Sequence, residues 1–461
     1  MVWEWVVVFP RILNRCILLD VYEKAFELLS KNPLCDSCLG RQFAVLGYSM
    51  ENAVRGFSLK IVLTMQANDL VKENFAEGVS RLQVLAVNGF SKVAQETLKH
   101  LKQDFVPSVE KCFLCDSTFS NVEALMKNVL ASLSVYDFST YLVGIELPVK
   151  IEEREDEFKA VFGIDTAESM KHEFGRLFGK AIGVHTGKEV DYLIPDIVVV
   201  VNPFSDEVKL QVNPLFVGGR YRKLVRTVPQ SKWFCSSCRG RGCEKCGGTG
   251  KLYPESVEEF TSNLLLELAR GTDSFFHASG REDIDARMLG TGRPFIVEIS
   301  KPKNRFIDLN ALEKAINAGA EDKVEVSTLH FTTKDKVRRL KKGENAVKEY
   351  RLLAEFENDV TPDELCSIEE KLSGITIKQQ TPLRVLHRRA DLVRERYIYN
   401  VKVKKVAFKL AMLEIRCQGG LYVKELVSGD EGRTIPSVSS LLGNRAKTLK
   451  LDVLNVIMDD N

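Results

Sequence analysis

Residues 279–295 read SGREDIDARMLGTGRPF, and the interpretation of the second half of the chain depends on this stretch. Two Gly-Arg steps flank Asp283 and Asp285, with Glu282 adjacent. If the segment is extended, both aspartates point to the same side. An acidic side chain among arginines, on backbone that glycine lets a substrate approach, suits nucleophilic or acid–base chemistry on a polyanion. The alternative is a structural salt-bridge network, because carboxylates beside arginines are common in ordinary proteins.

The sequence around this stretch predicts a mixed α/β domain of about 200 residues. Its first helix is predicted to begin at a capping box formed by Ser256 and Glu259 and to end at Gly271. Strand-like and helix-like runs alternate beyond it. The predicted strands are 295–299, 323–326, 350–356 and 411–416, and the predicted helices are 309–318 and 362–372.

The middle of the chain is typical of a smaller α/β unit. A helix is predicted over 167–182, and five consecutive β-branched residues at 197–201 suit a strand buried on both faces. Val208, Leu210 and Val212 then alternate as in a half-buried strand.

The N-terminal region is predicted to be largely helical to about residue 75. Residues 79–101 fit either a strand or a helix, and Ser120 with Glu123 forms a capping box for a further helix. The chain is thus predicted to have four segments. They are a zinc-knuckle region 1–79, an α/β domain 80–213, a basic linker with a four-cysteine knob 214–254, and the mixed α/β domain 255–461.

Composition indicates a folded protein with more than one core. The 461 residues are 44% apolar and 28% charged, which excludes a peptide hormone, a small disulfide scaffold and wholesale disorder. The formal charge of +2, from 65 basic and 63 acidic residues, can hide local asymmetry. The apolar residues 1–20 are interrupted by Glu4, Pro10, Arg11 and Arg15. No membrane helix or signal peptide is therefore expected there.

Eight of the eleven cysteines lie in four Cys-x-x-Cys pairs, and nothing in the sequence indicates an oxidising compartment, so zinc is favoured over disulfides. One structural zinc site is predicted at Cys35, Cys38, Cys112 and Cys115. A second is predicted at Cys235, Cys238, Cys243 and Cys246, which lie within twelve residues. The alternatives are redox motifs or buried thiols for the first set and a mobile loop with free thiols for the second.

Three basic runs predict a groove that follows a nucleic-acid backbone. They are GGRYRKLVR at 218–226, RRLKK at 338–342 and LRVLHRRADLVRERY at 383–397. For any single run a solvated surface is the alternative, but two of the three are interleaved with aromatic residues.

A resemblance to a known family is visible in these residues. GRED at 280–283 resembles the pseudouridine synthase motif in which an arginine shortly precedes the catalytic aspartate. The following DIDARMLGTGRPF, QTPLRVLHRRADLVRER at 380–396 and GGLYVKELVSGDEGRTIPSV at 419–438 closely resemble one branch. That branch is the archaeal and eukaryotic tRNA pseudouridine-54/55 synthases, which carry a THUMP domain. IPDIVVVVN and LQVNPLFVGGRYRKLVRTVPQ extend the likeness to most of 30–461.

The resemblance implies a cofactor-free isomerase whose catalytic domain has a central antiparallel sheet. The uracil ring is detached from ribose at N1, turned and rejoined through C5, at positions 54 and 55 of the tRNA T-loop. Residues 80–213 would be the THUMP domain that grips the acceptor end of tRNA, and residues 220–226 would add phosphate contacts. A cytoplasmic location, or a nuclear one, follows from this activity.

The resemblance also implies roles for six side chains. Asp283 would be the nucleophile, attacking sugar or base, and Arg281 would displace the target base and pair with the carboxylate. Lys424 would keep Asp283 charged through an ion pair. The remaining roles are Tyr350 stacking on the flipped base, Tyr422 close to the substrate and Leu451 lining the uracil pocket. From sequence alone, each tyrosine has the alternative of a core residue with a satisfied hydroxyl.

Two other functions are alternatives to the synthase. A THUMP methyltransferase or thiouridine synthase needs a nucleotide-binding glycine loop, and GTGKL at 248–252 is not one, because Lys245 and Leu252 occupy required motif positions. The other rival is a non-catalytic tRNA-binding protein or chaperone. His277, six residues before Asp283, is a candidate RNA contact, and the other histidines are predicted to be surface or core residues.

Overall fold

The computed structural model describes residues 11–106, 111–341, 346–387 and 389–457, and side chains from residue 21 onward. The chain separates into two compact units, with the division between Gln211 and Val212. Within the described ranges no helix combines the length and the apolar character that crossing a bilayer requires. The first ten residues of the apolar N-terminal stretch lie outside the described residues.

Unit 1 begins with helices. They are α1 (Arg11–Lys31), α2 (Asp36–Gly40), α3 (Asn52–Glu73), α4 (Phe75–Val87), α5 (Lys92–His100) and α6 (Val122–Leu133). The ambiguous segment 79–101 is helical, because Asn74 and Ser91 cap α4 and α5 by accepting hydrogen bonds from backbone N–H groups. The predicted capping box at Ser120 is wrong. The Ser120 hydroxyl donates to the Ser117 carbonyl at 2.6 Å instead, and α6 begins two residues later.

The rest of unit 1 is the predicted small α/β unit. Its elements are β1 (Thr140–Ile145), α7 (Val149–Phe162), α8 (Met170–Thr186), β2 (Glu189–Val190), β3 (Ile197–Asn202) and β4 (Glu207–Val212). The sheet order is β2-β1-β3-β4, with β1 parallel to both neighbours. The helix predicted from 167 begins only at Met170, because the Ser169 hydroxyl caps it.

Unit 2 is built on one ten-stranded sheet. Its strands are β5 (Leu215–Lys223), β6 (Asp273–Ala278), β7 (Ala286–Ser300), β8 (Val324–Phe331), β9 (Val347–Phe356), β10 (Ile375–Gln380), β11 (Val393–Ala407), β12 (Leu410–Gln418), β13 (Thr434–Ile435) and β14 (Ala446–Ile457). The order is β13-β10-β11-β12-β9-β14-β7-β5-β8, and β6 pairs with β7. These pairings are antiparallel except for β14 with β7, which confirms the predicted central antiparallel sheet.

Short helices connect the strands of unit 2. They are α9 (Val257–Ala269), α10 (Leu309–Gly319), α11 (Lys334–Lys341), α12 (Pro362–Leu372), α13 (Leu383–Leu386), α14 (Val423–Ser428) and α15 (Val438–Leu442). The Ser256–Glu259 cap of α9 is confirmed, with Glu259 N donating to Ser256 Oγ at 3.2 Å. The helix ends before Gly271, because Arg270 adopts the left-handed conformation (φ 49°).

The segment 214–254, predicted as a linker, contains a strand of the ten-stranded sheet. β5 pairs with β7 on one side and β8 on the other, so its alternating apolar residues bury against the core. The linker prediction was wrong for these residues, because Leu215, Val217 and Tyr221 are buried on β5 between two neighbouring strands.

The sheet register brings three distant segments together at its centre. β14 pairs with β7 and with β9, so Leu451 lies opposite both Ala286 and Leu352. Tyr350, on β9, packs against two separate hydrophobic clusters of the unit. The loop before β7 therefore lies beside the middle of β9 and β14.

Candidate active site

The loop that carries Asp283 connects β6 to β7 and is not extended as predicted. It turns at residues 284–285, where the amide of Ala286 donates to the carbonyl of Asp283 at 3.0 Å. Both aspartates still meet one cation. Lys424 Nζ lies 3.2 Å from Asp283 Oδ2 and 2.8 Å from Asp285 Oδ2. The turn, and not strand alternation, makes the two carboxylates converge.

A cavity of about 600 Å³ opens beside this loop. Its lining includes all six side chains to which the family resemblance assigns roles, namely Arg281, Asp283, Tyr350, Tyr422, Lys424 and Leu451. Asp285 is not part of the lining, and its side chain is 68% exposed compared with 39% for Asp283. Of the two aspartates, Asp283 is the one that a molecule in the cavity would contact.

Two cations hold the Asp283 carboxylate. Besides Lys424, Arg384 Nη1 lies 3.2 Å from Asp283 Oδ2. Burial alone would raise the pKa of Asp283, but the charges of Arg384 and Lys424 outweigh it and lower the pKa below its usual value. Asp283 is therefore ionised at neutral pH, as a carboxylate nucleophile needs to be.

Arg384 is a site residue that sequence reasoning missed. It lies on α13, and its Nε donates to the buried Glu425 Oε1 at 2.6 Å, which fixes the guanidinium beside Asp283. The sequence showed it only as one cation in the run 383–397. Its spacing from Asp283, about a hundred positions along the chain, carries no signal of contact.

Arg281 does not occupy the predicted position beside the carboxylate. Its guanidinium carbon lies over the Trp233 ring, 5.1 Å from the centroid. It still lowers the pKa of Asp283 through its charge, but less than Arg384 and Lys424 do. A planar cation stacks well on indole, and this contact holds Arg281 at the cavity wall.

The two predicted tyrosines are held in different ways. Tyr422 has its backbone fixed by Gln379, whose side chain accepts from Tyr422 N at 2.8 Å and donates to Tyr422 O at 3.0 Å. Its hydroxyl accepts from Arg389 Nη1 at 2.9 Å. Burial raises the pKa of Tyr350 well above its usual value, so its hydroxyl keeps its proton.

The backbone of the Asp283 loop is held by buried polar side chains. Lys223, fully buried on β5, donates to the carbonyls of Val228, Asp283 and Ile284 at 2.9, 3.1 and 3.1 Å. Gln230 Nε2 donates to the Gly280 carbonyl at 3.0 Å. The loop is thus fixed by hydrogen bonds from β5 and from Gln230 beyond its end, both within the segment predicted as a linker.

The Glu282 carboxylate completes this support. It accepts hydrogen bonds from Tyr221 Oη at 2.9 Å and from Arg293 Nε at 2.9 Å, and all three side chains are buried. Arg293 Nη1 also donates to the Ser279 carbonyl at 2.6 Å. The salt-bridge network that was the alternative for this stretch therefore exists, but at Glu282, beside the aspartate that faces the cavity.

That residues 220–226 contact phosphates stays a prediction, and the cations of this run already have partners within the protein. Arg220 donates to backbone carbonyls of Thr291, Gly292 and Val456, and Arg226 pairs with Asp452. These side chains are engaged because the run lies in or beside a central strand. His277 is likewise paired, with Glu298 at 3.0 Å, and is not a free RNA contact.

The other two basic runs reach the cavity. Lys341 from the first, and Arg389, Arg394 and Arg396 from the second, belong to its lining. Positions 342 and 388 lie outside the described residues. A cavity wall with this many cations attracts an anionic chain.

Each four-cysteine set forms a compact cluster. The four Sγ atoms of each lie within 4.8 Å of one another. Measured Sγ–Sγ distances are 3.7 Å for Cys35–Cys115, 3.9 Å for Cys235–Cys243, 3.8 Å for Cys238–Cys246 and 3.7 Å for Cys243–Cys246. Tetrahedral zinc with bonds of about 2.3 Å to sulfur has edges of about 3.8 Å. Both donor sets therefore fit a structural metal ion.

Backbone amides also turn towards the sulfurs. Cys38 N donates to Cys35 Sγ at 3.4 Å, and Gly250 N donates to Cys246 Sγ at 3.2 Å. Such N–H···S bonds stabilise thiolates. With four sulfur ligands no open position remains, so a bound metal would be structural.

Family models and known relatives agree with this architecture. A model described as Pus10, C-terminal matches residues 216–457, and one for the archaeal Pus10 THUMP domain matches residues 125–202. The protein named tRNA pseudouridine synthase Pus10 from Methanocaldococcus jannaschii is 44% identical over 440 residues, covering 94% of this chain and 93% of its own. Its namesake from Methanothrix thermoacetophila is 41% identical over 445 residues, covering 96% of each chain.

A solved structure of a Cbf5-Nop10-Gar1 complex is a remote neighbour. It is 16% identical, has a TM-score of 0.28, and the match covers 43% of this chain and 45% of that one. The C-terminal family model, by contrast, matches more than half of the chain, and the two relatives cover 94% and 96% of it. The chain therefore belongs to the Pus10 family of tRNA pseudouridine synthases.

Proposed function

We propose that this synthase isomerises the uridines at positions 54 and 55 of the tRNA T-loop, with Asp283 as the nucleophile. The observation that supports this best is the ionised Asp283 carboxylate, held by two cations at 3.2 Å at the wall of a cavity that also presents Tyr350. A uridine inside a folded tRNA is unreachable, so it has to be flipped into the cavity, where Tyr350 offers a face for stacking.

The proposed chemistry needs no redox or cofactor step. An oxygen of Asp283 attacks the ribose or the uracil ring, and the bond between C1′ and N1 breaks. The uracil turns and a bond forms between C1′ and C5. The bond to the Asp283 oxygen breaks, which regenerates the carboxylate, while C5 loses its proton and N1 gains one. Lys424 and Arg384 keep the carboxylate charged between turnovers, and the protonated Tyr350 hydroxyl is placed to serve in the proton transfer.

The remaining parts of the molecule are proposed to hold the tRNA. The THUMP domain, within residues 80–213, would bind the acceptor end. The cations Arg389, Arg394 and Arg396 would contact phosphates near the flipped nucleotide. We propose zinc as the metal of both cysteine clusters, since four thiolates at tetrahedral spacing favour it, and the cytoplasm as the place of action.

The decisive experiment compares two neighbouring aspartates. Wild type, Asp283→Asn and Asp285→Asn are incubated with a tRNA transcript labelled with tritium at uracil C5, and release of tritium is followed. Asp283→Asn should lose on the order of 10⁴-fold or more in rate. Asp285→Asn shares the Lys424 partner but does not line the cavity, so it should stay within about tenfold of wild type.

Carbodiimide mapping of the same products assigns the position. Block-dependent reverse-transcription stops are expected at 54 and 55, and a transcript with cytidine at either position should lose only that stop. Binding of tRNA by Asp283→Asn should be unchanged. If Asp283→Asn releases tritium as fast as wild type, the proposed nucleophile is wrong. If wild type binds tRNA without releasing tritium, the non-catalytic binding protein is the better description.

A further inference from the structure

Lys348 is a cation of the cavity to which the mechanism above gives no role. It lies on β9 two residues before Tyr350, so both side chains point to the same face of the sheet, and both line the cavity. Its Nζ reaches the Asp283 loop: a Cβ added at Gly280 would lie 3.0 Å from it. Lys348 therefore lies beside the Asp283 loop and lines the same cavity as Tyr350.

The surroundings of Lys348 do not neutralise it. On the adjoining strands its register partners are Cys417 of β12 and Val456 of β14. Burial raises the pKa of the Cys417 thiol to about 12, so it is uncharged. Arg293 lies nearby, but its charge is matched by Glu282 at 2.9 Å. In the part of the chain that the structure describes, no carboxylate lies within 4.0 Å of Lys348 Nζ and it donates no hydrogen bond.

Keeping the half-buried Lys348 charged without a nearby counter-charge costs free energy, and the lowered pKa of Lys348 reflects that cost. Burial and then the Arg293 charge lower the pKa of Lys348 to about 8. The group is still mostly protonated at pH 7. A site that keeps an uncompensated ammonium facing a cavity is typical of one whose counter-charge comes from the substrate.

We propose that Lys348 is a catalytic residue that donates a hydrogen bond to a carbonyl oxygen of the flipped uracil. This inference rests on the proposed function. When the bond between C1′ and N1 breaks, the electron pair stays with the uracil, and negative charge spreads onto O2 and O4. A fixed ammonium at one of these oxygens stabilises that charge more than it stabilises bound uridine, so it accelerates the step.

An oxygen of a neighbouring phosphate would present the same chemistry to Lys348, and the two sources have different consequences. A phosphate contact contributes to affinity and to its salt dependence, with little effect on the rate in the bound state. A uracil contact that strengthens as the bond breaks contributes to the rate. The position of Lys348 beside Tyr350 favours the uracil oxygen.

The test measures single-turnover tritium release at saturating enzyme, and tRNA affinity at several salt concentrations, for Lys348→Met and Lys348→Arg. Lys447→Met is the control, since Lys447 is an exposed lysine paired with Glu355 outside the cavity. Lys348→Met should lose about 100-fold in rate, the loss typical of one removed oxyanion donor, with tRNA affinity within about threefold. Lys447→Met should match wild type in both.

The pH dependence adds a readout that a purely structural lysine would not change. The wild-type rate should fall as pH rises through about 8, because Lys348 loses its proton there. Lys348→Arg keeps its charge at this position, so its rate should fall less steeply than the wild-type rate over this range, where Lys223, whose pKa is also about 8, still loses its proton. Thermal melting identifies variants that fail to fold, and Lys348→Arg supplies the readout if Lys348→Met is one of them.

Three results would overturn the inference. One is a lower affinity with a shallower salt slope and an unchanged rate, which would assign Lys348 to a phosphate. The second is no change in either quantity, and the third is an unmoved pH limb in Lys348→Arg. Asp283→Asn is run in parallel, so that failure of the proposed nucleophile shows separately from failure of the Lys348 assignment.

Discussion

Replacing Lys223 by Met removes the buried cation that donates hydrogen bonds to the backbone of the Asp283 loop. Lys223 is fully buried and donates three hydrogen bonds to carbonyls, two of them in the loop. Bonds from a charged donor contribute about 1.5–3 kcal/mol each, hence about 4.5–9 kcal/mol together. Burial lowers the pKa of Lys223 from 10.5 to about 8, which corresponds to a cost of about 3 kcal/mol for the charged form. The difference is a net contribution of about 1.5–6 kcal/mol, and we expect Lys223→Met to lower the free energy of unfolding by that amount.

The effect on activity should exceed the effect on folding. A displacement of Asp283 by about 1 Å is expected to slow the reaction about 100-fold, with tRNA affinity preserved. Urea unfolding, single-turnover tritium release and filter binding measure the three quantities, with Lys447→Met as control. A variant with lowered stability but a rate within about threefold of wild type would refute the idea that Lys223 positions Asp283, the proposed nucleophile.

The pH dependence of the two quantities has opposite signs. Because the pKa of Lys223 is lower in the folded than in the unfolded state, the unfolded state binds more protons between pH 8 and 10.5. Over that range this group makes the free energy of unfolding rise with pH. The hydrogen bonds to the loop weaken as the ammonium loses its proton, so activity should fall over the same range. A rate that rises together with stability would contradict the positioning role.

Two further variants test other parts of the site. Arg384→Met removes one of two cations on Asp283 and frees the buried Glu425 carboxylate, so we expect the acid limb of the pH–rate profile to move to higher pH and the rate at pH 7 to fall about tenfold. An unmoved acid limb would mean that Arg384 does not tune the carboxylate. Cys35→Ser should reduce bound zinc from two equivalents to one and lower Tm by about 10 °C, whereas Cys366→Ser, an exposed cysteine outside both clusters, should change neither. Metal analysis that gives two equivalents for both variants would contradict the first site.

Local patterns predicted most of the secondary structure. The helix predicted over 362–372 is α12 (Pro362–Leu372), with Thr361 and Glu364 as its capping box. The β-branched run 197–201 lies within β3, where Ile197, Val199 and Val201 are buried. Such features follow from residues within a few positions of each other, and therefore sequence periodicity reports them.

Part of the candidate site was predicted from the sequence, through motifs that resemble those of a known family. Asp283, Tyr350, Lys424 and Leu451 were named in advance through the family resemblance, and the structure places them around one cavity. The residues alone could not indicate which of Asp283 and Asp285 faces the cavity. That difference arises from the turn at residues 284–285, which the local sequence did not predict.

The chain's own order of residues determined its class, its helices and strands, its two cysteine sets and the motif around Asp283. Only tertiary structure decided that β5 belongs to the ten-stranded sheet, that Arg384 holds Asp283 and that Arg281 stacks on Trp233. It also decided that Lys348 has no carboxylate partner among the residues that the structure describes. The physical reason is the separation along the chain between the residues that interact. Helix caps and strand alternation arise between neighbours in the chain. Ion pairs and burial depend on strand order and register. Strand order and register are set by how all the segments pack together in one core.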